Sequence, residues 1–434
     1  MLSLPTSDDA LPPPAKPGDG DCFRTHSLRL PTPWRTEPAT TLHLLYRRSS
    51  SGLSAVVTDA PLAANPENYA EQGARSIDLG APVELTPTAI AKPWGQELWY
   101  SGIEARGESA VRIGDQTLPL SHYLAMAPER LCRRAQPLLL KVLDPAPDPV
   151  LGDLYFETHD QKHEVYVVTD VDKAVWPDGV GAIRFGMNQT KRAVYSTDAD
   201  FRAAYLEAVQ AYERLRREID NETSPISTET EQRERQLRTN MEAFTQLHPL
   251  RVGDVVQVPP GIPHALQHGV RVFEFQTPVY ERNIISFNQR VLTQDGWDSA
   301  RAIEQMQIDA AHLSTPANVD IPTTESTCRC QRIADFADFE VQRIELRNGS
   351  HWHAGMSLPP TTPYLMIAIV DGNVELRSAS GQLAIGQSQA AFVPASATQL
   401  SAHNSSSQNS TLLVAAPKPH TAGSITNPVT MNRK

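Results

Sequence analysis

Hydrophobic and polar positions along this chain follow two different periods. Short apolar runs broken by turn residues dominate both ends, and a stretch of helical spacing interrupts them near the middle. Thr41–Tyr46 is the clearest of several strand-like runs between Phe23 and Leu85, and Pro137–Asp144 reads as a buried strand. Glu164-Val-Tyr-Val-Val168 and Arg271-Val-Phe-Glu-Phe275 read as further strands. Between these, Phe201, Tyr205, Ala208, Val209, Tyr212, Leu215 and Ile219 recur every three or four residues, which predicts an amphipathic helix. Asn221 to Ser227 forms a loop, and Leu237, Met241, Phe244 and Leu247 predict a second helix ending near Pro249. A pair of helices does not fit inside a small barrel, so they are expected to cover one end of it as a lid.

Beyond a segment around 300–306 that reads as helical, residues 312–330 are polar and form a linker. Strands resume at Phe339–Leu346, Tyr364–Val370, Asp371–Leu376, Ala390–Pro394 and Thr411–Ala415, the pattern of a second all-β barrel or sandwich. Residues 1–20, rich in Pro and Gly, are expected to be flexible.

Composition narrows the function classes. At 434 residues the chain predicts two or three domains, and 40% hydrophobic with 21% charged residues describes a globular protein with a substantial core. Thirty-five prolines suit short strands and structured turns. A net charge of −11 without a basic stripe argues against a nucleic-acid partner. No apolar run approaches a membrane span and no signal peptide is evident, so no membrane association and a cytoplasmic location are expected. Cys22, Cys132, Cys328 and Cys330 lack the spacing of a zinc knuckle and read as reduced thiols.

Candidate chemistry lies in two fragments. In the first, Glu157, His159 and Glu164 stand within eight residues, and Glu157 and His159 share one face of a strand. In the second, Gly253 is followed by Pro259-Pro-Gly261-Ile-Pro-His264, a turn leading into a histidine. These are N and O donors of the kind that Zn²⁺, Mn²⁺ or Fe²⁺ accept. Their spacing resembles the two motifs of the cupin β-barrel, with a glutamate in place of the first histidine. In the C-terminal half a similar pattern has Gln399 where the histidine would stand, and His351 and His353 form a pair without a further partner in the sequence.

More broadly, residues 90 to 416 resemble the type I mannose-6-phosphate isomerases. Lys92-Pro-Trp94-Gly95, Leu139–Asp144, Leu154–His159, Lys162–Val168, Val258–Leu266 and Tyr280-Glu-Arg282 lie over the motifs of that family. The resemblance implies a mainly β fold of two cupin-type barrels (a bicupin) with a helical insertion in or beside the first. The domains are then 21–311, metal-binding, with the insertion at about 198–248, and 331–434, a degenerate second cupin. It implies one divalent ion, zinc first and Mn or Fe as alternatives, held by Glu157, His159, Glu164 and His264. It also implies catalytic roles for Lys162 and Arg282 towards a small phosphosugar, mannose 6-phosphate or a relative, in a monomer or weak homodimer. Glu157 replaces the family's glutamine, which adds a negative charge and shifts preference towards Mn²⁺ or Fe²⁺. Gln161 stands where some members carry a histidine, so no general base is assigned. Trp94 reads as core before substrate platform. The residues leave two other readings open: another metal-dependent cupin enzyme, oxygenase or epimerase-like, and a sugar-binding cupin without catalysis.

Overall fold

A computed structural model describes residues 11–12, 22–30, 40–49, 52–58, 75–286, 297–309 and 319–418. Apart from residues 11 and 12, the expected flexible segment 1–20 lies outside them, as do 310–318 of the expected linker region and 419–434. The fold is mainly β, with the long helices confined to one segment.

Two compact units divide the chain, and neither is continuous in sequence. One comprises 86–110 and 137–318; the other gathers 1–85, 111–136 and 319–434. One boundary, at 318/319, falls within the expected 312–330 linker, whereas 1–85 and 111–136 group with the C-terminal residues and not with 137–318 as expected. The strands of 22–30, 40–49, 52–58 and 75–78 form a sheet of the second unit, and Val83–Thr86 pairs with Ala390–Pro394 through Leu85 and Ala390. Part of the expected linker is strand as well. Val319–Ile321 and Cys328–Asp335 pair at the edge of a nine-stranded sheet, with Ile321 opposite Cys330. Polar composition hid these strands because an edge strand keeps one side in water.

The first unit holds a six-stranded and a five-stranded sheet that share no strand pair, an open two-sheet packing where the sequence predicted a closed barrel. In the six-stranded sheet the order runs Val255–Val258, Glu164–Val171, Val270–Gln276, Leu139–Pro145, Gly95–Trp99, Thr88–Lys92. In the other it runs Thr245–Leu250, Gly181–Met187, His264–Leu266, Phe156–Thr158, Asn283–Ser286. Side chains from both sheets, among them Leu143, Val168, Val258, Val272, Ile183, Leu266 and Ile284, merge into one core, and Trp94 is buried in it. Alternation along each strand therefore assigns an inner face to every second residue.

Helices span Asp198–Asn221 and Thr228–Glu242. Thr197 and Ser227 cap them by accepting the backbone N–H of Asp200 and Thr230, each at 3.1 Å. The first follows the predicted spacing: Phe201, Tyr205, Val209, Tyr212, Leu215 and Ile219 are its buried stripe. The second ends earlier than predicted, because Thr245–Leu250 turns into a strand paired with Gly181–Met187. The lid expectation is corrected too. Phe201, Tyr205 and Tyr212 pack with Phe156, Ala265 and Ile285, which point out of the five-stranded sheet opposite to Glu157 and His264. The helices thus back that sheet, each large aromatic contributing about 1.5–3 kcal/mol by burial.

Candidate metal centre

Glu157 and His264 are direct cross-strand partners on the inner face of the five-stranded sheet. Gly261 turns the chain into the His264 strand with φ +83°, a left-handed conformation that favours glycine, and its N–H donates to the His159 carbonyl at 2.8 Å. That bond ties the two motif fragments together through their backbones. His264 Nδ1 lies 3.0 Å from the Ile262 carbonyl, which fixes the ring and leaves Nε2 facing inwards. The turn between His159 and Glu164 is held from below by Glu281, whose carboxylate accepts the N–H groups of Gln161 and Lys162.

Glu157, His159 and His264 present donor atoms that all lie within 4.8 Å of one another. Glu164, on the facing sheet, reaches both imidazoles: Oε1 is 3.3 Å from His159 Nε2 and Oε2 is 3.1 Å from His264 Nε2. Its Oε2 also accepts from the Tyr166 hydroxyl at 2.7 Å, and Lys162 Nζ sits 2.7 Å from Oε1. Burial opposes ionisation of Glu164, yet the Lys162 charge and the imidazoles hold it well below the usual carboxylate range. Burial alone would lower His264, but its bond to Glu164 raises it. His159 goes the other way, lowered by burial and so kept neutral.

These residues fit a divalent ion. Glu157 Oε2 and both ring nitrogens of His159 are buried without a hydrogen bond, a costly state unless something else satisfies them. Two neutral-capable imidazoles beside carboxylates form the mixed N/O donor set that zinc, manganese and iron accept.

The four expected ligands thus converge, and Lys162 is buried against them. Arg282 is exposed, with its guanidinium 4.9 Å from the centre of the Tyr155 ring. Its charge is felt at Tyr155 and Lys92.

The sequence reading missed a buried ladder beside the ligands. Across the inner face of the six-stranded sheet, Trp99, Lys141, Glu274 and Tyr166 stand in one row, with Gln276 and Glu164 in the next. Lys141 Nζ lies 2.6 Å from Gln276 Oε1, 3.6 Å from Glu274 and 3.9 Å from Glu97, while Lys92 pairs with Glu97 at 3.1 Å. Burial pushes Glu274 up to about 8, so one carboxyl in this chain of charges keeps its proton near neutrality. The signal was present: a lone Lys and a lone Glu sit at the centres of Leu139–Leu143 and Val272–Phe275, runs that are otherwise apolar.

No family model matches this chain, and no curated protein matches it. Solved structures do. The mannose 6-phosphate isomerase of Bacillus subtilis is similar with a TM-score of 0.56 at 15% identity, covering 77% of this chain and 99% of that one. A substituted form of phosphomannose isomerase from Salmonella typhimurium is similar with a TM-score of 0.53 at 13% identity, covering 78% of this chain and 100% of that one. At such identities the shared property is the fold.

Proposed function

We propose that this chain is a metal-dependent aldose–ketose isomerase of a phosphosugar, interconverting mannose 6-phosphate and fructose 6-phosphate or a close pair. The observation that carries the reading is the convergence of Glu157, His159 and His264 on one point, with Glu164 and Lys162 against it, in a fold shared with solved isomerases of that kind.

Moving a carbonyl between C1 and C2 requires a proton shift and stabilisation of an enediolate oxygen. A bound divalent ion supplies Lewis-acid stabilisation of that oxygen. Glu157, His159, Glu164 and His264 would hold it, their two carboxylates offsetting its charge. Lys162 and Lys141 contribute positive charge near Glu164, one directly paired and one across the ladder. Glu274, protonated near neutrality, is the group suited to giving or taking a proton. Arg282, exposed beside Tyr155, suits the substrate phosphate by its planar fork of donors.

The test pairs elemental analysis of the protein as purified with a coupled assay after that metal is restored. About one equivalent of Zn, Mn or Fe and measurable conversion of mannose 6-phosphate are expected. A metal-replete protein without isomerase activity on any aldose phosphate would refute the reading. Sugar binding without turnover in that protein would favour a non-catalytic role.

A further inference from the structure

The other unit brings together three histidines that the sequence shows as only a pair. His351–His353 is the edge strand of a four-stranded sheet and pairs with Ser401–His403, placing His403 directly opposite His351. Inner positions of this sheet, Trp352, Ala402 and Leu376, are buried in the core, so the histidines share its outer face. The rings of His351 and His403 stack at 4.2 Å and 11°, and those of His351 and His353 lie 6.2 Å apart and nearly parallel. His403 Nδ1 is buried without a hydrogen bond. Glu325 accepts the His351 N–H at 2.8 Å through one oxygen and places the other 3.4 Å from His351 Nδ1. Glu375 is the cross-strand partner of His403 on its other side.

We infer that His351, His403 and His353 form a second metal site, for a divalent transition ion that prefers imidazole, such as Cu²⁺, Ni²⁺ or Zn²⁺. Glu325, 3.4 Å from His351 Nδ1, is placed as the carboxylate that orients a ligating imidazole through its other nitrogen. Stacking three imidazoles on one small face otherwise offers no return: as cations they repel, and as neutral rings they leave a buried nitrogen unsatisfied. Among the described residues only the Glu157 set already gathers its donors within 4.8 Å, so the trio closes on an ion by side-chain rotation, chiefly of the exposed His353. The ion would clip an edge strand of three residues to its neighbour.

The test uses the untagged full chain carrying its resident metal and titrates it with Cu²⁺. One further equivalent is expected, with an electron paramagnetic resonance spectrum split by two or three nitrogens. His351→Gln/His403→Gln loses that equivalent while circular dichroism and the first metal are unchanged. Glu325→Gln, which removes no ligand, retains the equivalent but weakens it roughly 10-fold. If the wild type takes up no further copper, or if the double variant binds it as tightly, the site does not exist. Should the double variant misfold, unchanged affinity in Glu325→Gln and in His403→Gln alone overturns it equally.

Discussion

In the unit that holds Glu157, the space between the two sheets is charged at one end and aliphatic at the other. In the second unit the corresponding space is filled by Ile344, Ile367, Leu376, Ile385, Val393, Leu412 and Val414 around Trp352. Both units place a nine- or six-stranded sheet and a smaller one around a common core. What separates them is a handful of inward positions. Lys141, Glu274, Glu164 and Glu97 are all buried in the first unit within 4 Å of an acidic or basic partner, whereas the side chains packed around Trp352 in the second are aliphatic. Gln399, the second unit's counterpart of the motif histidine by sequence, is exposed at φ +56° and joins no inner face. A sheet pair becomes a chemical site when buried charges come as a balanced set, since one alone costs more than the packing returns.

That contrast is broken most sharply at His264. His264→Ala removes a proposed ligand and one of the partners of Glu164, so metal content should fall from about one equivalent towards zero and turnover should drop on the order of 10³-fold. Elemental analysis together with the coupled assay checks both. Next in size, Lys141→Met makes the first unit resemble the second at one position only. It leaves Gln276 without its donor and Glu274 without a cation, while Glu97 keeps Lys92, so unfolding in urea should show a loss of about 1–3 kcal/mol. A smaller effect comes from Glu274 alone. Its carboxyl is raised in the folded chain from 4.5 to about 8, so its contribution is fully present below pH 4.5 and is lost as pH rises through 8. Glu274→Gln should therefore gain stability relative to the wild type across that window, read as melting temperatures at successive pH values. No change in the difference with pH would remove Glu274 as the protonated member. The smallest effect lies in the second unit, where burial pushes Cys328 up to about 11 and Cys330 up to about 12. At pH 8 both should alkylate at least ~100-fold more slowly than in the unfolded chain, by mass spectrometry of quenched samples.

Much of the candidate site could be read from residue order because its residues lie on strand alternation and a glycine turn, both local. Glu157, His159, Glu164 and His264 needed only the two fragments to be recognised as parts of one place. Lys141 and Glu274 depend on register between strands more than 130 residues apart, which no local pattern specifies. The first long helix was legible from its spacing, whereas Phe244 and Leu247 continued a helical period into what is a strand. Helices backing a sheet and helices closing a cavity bury the same stripe, so periodicity could not say which face they cover. The open sheet pairs and the interleaved units were hidden for the same reason: they are set by which distant strands bond.

The interleaving has a consequence for the order in which the protein is made. Val83–Thr86 has Ala110–Ile113 on one side soon after it is made, yet it acquires its other neighbour only when Ala390–Pro394 has been synthesised, some 300 residues later. The unit that holds Glu157, whose last piece arrives by residue 318, is complete well before that. At roughly 5–20 residues per second, the early strands wait on the order of 20–60 seconds with an unpaired edge, the interval in which a nascent chain is most exposed to mispairing and to chaperone capture.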